Sequence, residues 1–390
     1  MGNLIPSAKV NILANHKVWL EDNAIQQLHT TAQLAHIRAA VGLPDLHAGR
    51  GYPIGAAFFS TEHFYPALVG GDIGCGMALW QTDLLRHKVS GRKLAKQLGN
   101  IDGSLSGDDL QAAADAVQQL LAQHALRHDY ASLPLDAHSM TASVGTIGGG
   151  NHFAELLQTD TVYDSDTAPD PSRVYLLVHS GSRGLGGAIL REHVEQYGHH
   201  GLQAASTAAS AYLAQHNTAL AYAKLNRDWI AKRILAAWKT PARCLLDIHH
   251  NHVLPARING CDGYLHRKGA TPSDQGWVMV PGSRGDYSYL LAPTDSSEYL
   301  YSLAHGAGRK WARQDCYGRL SGKYTAQDLH QTRFGSTVVC GDKGLLFEEA
   351  PAAYKNVDAV VMTLVEAGLC RLIARYKPML TYKKGDSACC

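Results

Sequence analysis

Gly70-Gly71-Asp72-Ile73-Gly74-Cys75-Gly76-Met77 sets a carboxylate and a thiol three residues apart among four glycines. Glycine lets a loop turn tightly and approach an ion or a phosphate closely. Asp72 and Cys75 can therefore point into one space. A hard oxygen beside a soft sulfur suits a borderline divalent metal such as Mn, Fe, Co or Zn better than Mg or Ca. The competing reading makes Cys75 a small buried hydrophobe and Asp72 a turn residue.

Four further segments carry similar chemistry: Gly148-Gly149-Gly150-Asn151-His152-Phe153-Ala154-Glu155, His179-Ser180-Gly181-Ser182-Arg183-Gly184, His250-Asn251 and His305-Gly306-Ala307-Gly308-Arg309-Lys310. Each histidine lies in a turn of small residues rather than on an apolar helix face. A lone histidine of this kind is usually structural; four of them beside an Asp/Cys pair point to a metal site. Imidazole, carboxylate and thiolate are the ligands of a Mn- or Zn-type centre, and a bridging cysteine can serve two metals. Turns rich in glycine also offer N–H groups to phosphate oxygens. Arg183, Arg309, Lys310 and Arg313 either add charge-assisted bonds to phosphate or are solvated surface charge. The chain has no GxxxxGK[ST] loop and no Lys-x-Asp-Gly. If it activates a nucleotide, a histidine is the candidate nucleophile.

Three short apolar runs position these segments. Arg173–Val178, Cys244–Ile248 and Trp277–Val280 read as strands, each ending in a polar turn that starts at His179, His249 or Pro281. Ligand sites at strand ends are an α/β arrangement. Helical periodicity covers residues 108–126, 207–238 and 357–376. Asp160 to Ser172, rich in Asp, Thr and Pro, reads as a surface loop. No low-complexity linker divides the chain. The expected fold is α/β: one large domain over residues 1–390, with central mixed sheets flanked by helices and the active site at strand ends and glycine-rich loops.

Composition is that of a soluble globular protein, long enough for one large domain or two smaller ones. The chain has 390 residues, 45% hydrophobic and 18% charged, with net charge +2, so a nucleic-acid surface would have to be a local patch. Of 21 histidines most must be ordinary, such as His199-His200. The eight cysteines form no CxxC pair, so neither a zinc ribbon nor a redox pair is indicated, and Cys389-Cys390 reads as a disordered tail. No apolar run is long enough to span a membrane and no signal pattern opens the chain, so the expected location is the cytoplasm.

The motifs also resemble a known family. Pro44-Asp45-Leu46-His47-Ala48-Gly49, Pro53-Ile54-Gly55, the Asp72/Cys75 loop, Gly150 to Glu155, His179 to Gly184, His250-Asn251, His266-Arg267-Lys268-Gly269-Ala270-Thr271, Pro281-Gly282-Ser283 and His305 to Arg309 are similar, nearly end to end, to the RtcB family of GTP-dependent RNA-splicing ligases. The resemblance implies a ligase joining an RNA 3′-phosphate or 2′,3′-cyclic phosphate to a 5′-hydroxyl, in RNA repair or tRNA splicing. It implies two Mn²⁺ ions held by Asp72, Cys75, His152, His179 and His250, with Cys75 bridging. His305 corresponds to the histidine that becomes guanylylated. The implied GMP pocket comprises Asn151, His152, Phe153, Ala154, Glu155, His250, Asn251, Pro281, Gly282, Ser283, Arg284, Ser288, His305, Gly306, Ala307, Gly308 and Lys383.

The chain departs from that pattern at Arg284 and Asp286, where the family has uncharged residues, and at Lys384, where it has glycine. Lys383 and Lys384 therefore compete for the contact to guanine. The chain is also short for the family. Arg284 is expected either to guide the RNA end or to pair with Asp286. Two other functions fit parts of the pattern: a metal-dependent phosphoesterase that opens RNA ends without joining them, and a non-catalytic RNA- or metal-binding protein. The His305-Gly-Ala-Gly segment argues against both, because neither needs a guanylyl acceptor.

Overall fold

The computed structural model describes residues 8–127 and 132–385. Cys389-Cys390 lies outside the described residues. The larger of two main sheets has eight strands. Its path runs Val278–Pro281, Ser288–Pro293, Cys370–Lys384, Phe153–Val162, Arg173–Ser180, Gly76–Leu85, Ala242–His249, and Thr337–Cys340 pairs parallel with Cys370–Lys384. All other pairs in it are antiparallel. The sheet curls over itself: Met279 and Leu246, from its two edge strands, share one core with Leu177, Leu290 and Ile373.

The Arg173–Ser180 strand is buried on both faces, which is why it reads as a continuous apolar run. Leu176 and Val178 face the long helix Thr207–Trp238 through Ile230, Ile234 and Trp238, while Tyr175 and Leu177 face the inside of the curl. That helix starts where Ser206 accepts a hydrogen bond from Ala209 N, a cap whose loss costs about 1 kcal/mol.

The smaller main sheet orders Lys9–Ile12, Ile37–His47, Ile54–Ser60, Cys261–Lys268 and Asn251–Ile258. The chain passes from one sheet to the other at His250, between Ala242–His249 and Asn251–Ile258. Ala270–Pro272 pairs with Ser302–Ala304, which leads straight into His305. The expected mixed sheets with flanking helices are thus present.

The helix expected over residues 357–376 is half right. The helix is Val357–Glu366, and Cys370–Lys384 is a strand inside the large sheet. Gly368, at φ +70°, ends the helix, and the following buried run pairs with two strands rather than one groove. The loop expected from Asp160 starts three residues later, because Phe153–Val162 extends along that strand.

Candidate active site

Antiparallel pairing puts the start of Gly76–Leu85 beside the ends of Arg173–Ser180 and Ala242–His249: Met77 pairs with His179, and Gly76 with His249. Phe153, opening the next strand, pairs with His179 from the other side. Cys75, His152, His179 and His250 therefore converge at one end of the sheet by register alone.

Cys75 Sγ lies 3.2 Å from His179 Nε2 and 3.4 Å from His152 Nε2. His152 Nε2 is 3.0 Å from Asp72 Oδ2, and His179 Nε2 is 3.3 Å from His250 Nε2. The Asp72 carboxylate approaches the backbone so closely that a Cβ on Gly181 would lie 2.3 Å from Oδ1. His152 Nδ1 donates to Ile147 O and His179 Nδ1 to Asn151 O. A carbonyl only accepts, so each Nε2 carries a lone pair aimed at the cluster, the tautomer a metal ligand needs.

The electrostatics match that reading. Burial, then Asp72, pushes the Cys75 thiol well up. Burial pulls His179 and His250 well down and keeps them neutral. Burial would raise Asp72, but His152 holds it at about 2. A carboxylate, a thiol and neutral imidazoles in one buried space form a donor set that a divalent cation completes. Cys75, His152 and His179 alone form a metal-sized group among the described residues.

His305 faces this cluster, its ring centroid 4.8 Å from that of His250. Its Nδ1 is held by Asp45 Oδ2 at 2.6 Å, and the same oxygen accepts the His305 backbone N–H at 3.1 Å. Asp45 is fully buried. Gly308, at φ +73°, leaves room for it, since a Cβ there would lie 2.2 Å from Asp45 O. With Nδ1–H engaged, Nε2 is the free nucleophilic nitrogen.

The other implied pocket residues surround this pair. Pro281 O accepts Ala307 N at 3.0 Å and sits 3.3 Å from where a Gly306 Cβ would be, so the Pro281-Gly282-Ser283 turn lies against the His305 segment. Ser288 pairs with Pro281 across the hairpin. Asn251 donates to Asp72 O and accepts from Gly269 N, tying the metal loop to the His305 side. Phe153 packs edge-on against His179, with Lys383 Nζ 5.9 Å from its ring. Ala154 is buried and pairs with Val178. Glu155 is buried with Thr381 Oγ1 on its carboxylate, and burial raises it to about 8. Lys383 is buried on this face, while Lys384, on the opposite face of the strand, is half exposed and pairs with Asp342.

The sequence compares with known proteins as follows. The family model described as tRNA-splicing ligase RtcB matches residues 27–384. An RNA-splicing ligase RtcB2 of Escherichia coli is 50% identical over 97% of this chain and 96% of its own length. A tRNA-splicing ligase RtcB of Thermococcus kodakarensis is 30% identical over 92% of this chain and 90% of its own. The chain belongs to the RtcB family.

It is accordingly an RNA ligase. Among the described residues no helix is long and apolar enough to cross a membrane. Two expectations about charged groups in this RtcB chain need correction. Asp286 pairs with Arg333 rather than with Arg284. Arg284 is buried, with Nη2 donating to Leu346 O at 3.2 Å. Arg309, read as a possible phosphate contact, spends its donors on Glu349, Tyr354, Glu348 O and Trp311 O. Arg183 stacks under the Gly148 turn and donates to Thr146, and Arg313 reaches Asn151 at 3.4 Å.

Three residues that complete the site were missed as site residues: Asp45, Glu349, and Lys355, whose Nζ donates to Pro44 O and Leu46 O on either side of Asp45. Asp45 and Lys355 lie 310 positions apart and meet only in the fold. The one signal for Asp45 was its place in Pro44-Asp45-Leu46-His47.

Proposed function

We propose that this RNA ligase depends on GTP and Mn²⁺ and joins an RNA 3′-phosphate or 2′,3′-cyclic phosphate to a 5′-hydroxyl through a His305–GMP intermediate. The observation that carries this reading is His305, held through Nδ1 by a buried carboxylate and facing a Cys/His/His/Asp cluster. A phosphoesterase would need the cluster but not an oriented histidine beside it.

His305 Nε2 attacks the α-phosphorus of GTP, forming an N–P bond and expelling pyrophosphate. Asp45 keeps the ring in the reactive tautomer and offsets the positive charge that develops on it. On a 2′,3′-cyclic end, water first adds to phosphorus and breaks the P–O2′ bond, leaving a 3′-phosphate; GMP then passes to an oxygen of the RNA 3′-phosphate, which frees His305. The RNA 5′-hydroxyl attacks that activated phosphorus, forms the phosphodiester and expels GMP. Asp72, Cys75, His152, His179 and His250 would hold the two ions, which offset charge on phosphoryl oxygens. Lys383 contacts the guanine, and Phe153 and Glu155 line the same pocket. The setting is the cytoplasm, and residues 1–390 act as one ligase domain.

The test is sealing of an RNA pair carrying 3′-phosphate and 5′-hydroxyl ends, with and without GTP and Mn²⁺. Joined product that requires both supports the reading. Loss of the 3′-phosphate without joining supports the phosphoesterase instead.

A further inference from the structure

Glu349 follows the short helix Lys343–Glu348 and is almost fully buried. Its Oε2 accepts from Lys383 Nζ at 3.1 Å and from the Tyr354 hydroxyl. Its Oε1 accepts from Arg309 Nη1 at 3.1 Å and lies 3.3 Å from Arg313 Nη1. The three cations belong to three parts of the site. Lys383 stands over the Phe153 ring. Arg309 follows the His305-Gly-Ala-Gly segment. Arg313 braces the glycine turn before His152: it reaches Asn151 Oδ1, and a Cβ on Gly150 would lie 2.9 Å from its Nη1.

Burial alone would push the Glu349 carboxyl up; Lys383, Arg313 and Arg309 hold it at about 2, so it stays charged. Both of its oxygens are occupied by protein donors, which leaves it no free face for a nucleotide. An ammonium has three donors. Glu349 takes one from Lys383 and leaves two, so the ion pair fixes the lysine without disabling it. Arg284 adds a fourth positive charge nearby, with Nε and Nη1 buried and unpartnered among the described residues.

We propose that Glu349 is a positioning residue for nucleotide binding: it holds Lys383 against the base side of the pocket and ties it to the segments of His305 and Asn151. This rests on the reading above, in which Lys383 contacts guanine. Without the carboxylate, Arg284 and Arg313 would repel Lys383 from its position, and the cost would fall on binding GTP rather than on the chemistry at His305.

The experiment measures the rate of His305–GMP formation against GTP concentration in the full-length enzyme, with ATP as the alternative nucleotide. For Glu349→Gln the half-saturating GTP concentration rises about tenfold or more while the maximal rate stays within about threefold, and the preference for GTP over ATP shrinks. The double variant Glu349→Gln/Lys383→Met is no worse than Lys383→Met alone, because one residue acts through the other. An unshifted GTP curve, a loss confined to the maximal rate, or additive losses would overturn the proposal. Should Glu349→Gln fail to fold by circular dichroism, Glu349→Asp keeps the charge but cannot span Lys383 and Arg309 together. Its half-saturation must then rise with Lys383→Met showing no added loss, and wild-type values would overturn the proposal. A wild-type enzyme that forms no GMP adduct would sink the parent reading, whereas a normal wild-type adduct with an unshifted variant sinks this one alone.

Discussion

The contact on which the proposed role of His305 as nucleophile rests is a single oxygen. Asp45 Oδ2 accepts both the ring Nδ1–H and the backbone N–H of the same residue, which fixes the ring's rotation and its tautomer together. Lys355 clamps the carbonyls on both sides of Asp45, so the carboxylate itself cannot drift. Asp45→Asn keeps the shape but removes the charge that offsets a developing imidazolium. The rate of GMP transfer to His305 is expected to fall about 10²–10⁴-fold, with bound Mn²⁺ unchanged by elemental analysis. An equal loss of metal would place the role of Asp45 in the cluster instead. As a candidate, His305 was legible because a histidine among Gly, Ala and Gly has no core to serve. Glu349 was not, because an acidic residue after a short helix looks like solvated charge until its three cations, from distant segments, are seen around it.

At the scale of elements, the site exists because four antiparallel strands end together, and the long helix pins the loops at those ends. Asn226 and Arg227 of Thr207–Trp238 do the pinning. Arg227 is fully buried; its Nη1 donates to Gly74 O and Ser180 O and its Nε to Asp247. Asn226 donates to Ser180 Oγ and Gly181 O. Arg227→Met leaves Asp247 buried without its cation, so urea unfolding should show a loss of about 3–5 kcal/mol, accompanied by weaker Mn²⁺ binding in the fraction that folds. Cys75→Ala should behave oppositely: a stability change of roughly 1 kcal/mol with loss of Mn²⁺ and of all sealing. Near-normal metal content in that variant would remove Cys75 from the ligand set. Gly76–Leu85 and Phe153–Val162 were not legible as strands, whereas Arg173–Ser180 and Ala242–His249 were legible because each is an apolar run closed by a polar turn. Cys370–Lys384 was not, because its apolar spacing follows without a break from that of Val357–Glu366, and only pairing on both edges makes it a strand.

Across the whole molecule, neutral buried histidines hold the sheets and helices in register. His216 Nε2 accepts Val253 N at 3.1 Å, and His266 Nε2 accepts Tyr65 N at 2.9 Å. Protonation would set N–H against N–H, and burial pulls both rings down to about 4. The unfolded chain takes up these protons below about pH 6.5. Their contribution is therefore complete above that pH and is lost as pH falls toward 4, at about 1.4 kcal/mol per histidine per pH unit. Urea melts at neutral and mildly acidic pH should show this slope, and His216→Gln/His266→Gln, which keeps an acceptor but cannot titrate, should flatten it. A slope unchanged in that variant would assign the acid loss to other groups. Such roles are illegible in a chain with 21 histidines, because core and site histidines differ only in what the fold brings to them. What was legible is the set that the curled sheet gathers, and the central claim is that His305 beside it carries GMP. The direct measurement is mass spectrometry of the intact protein, and of its peptides, after incubation with GTP and Mn²⁺. One GMP on the peptide containing His305, absent in His305→Asn, is the predicted result. No adduct, or an adduct that survives His305→Asn, would contradict the account.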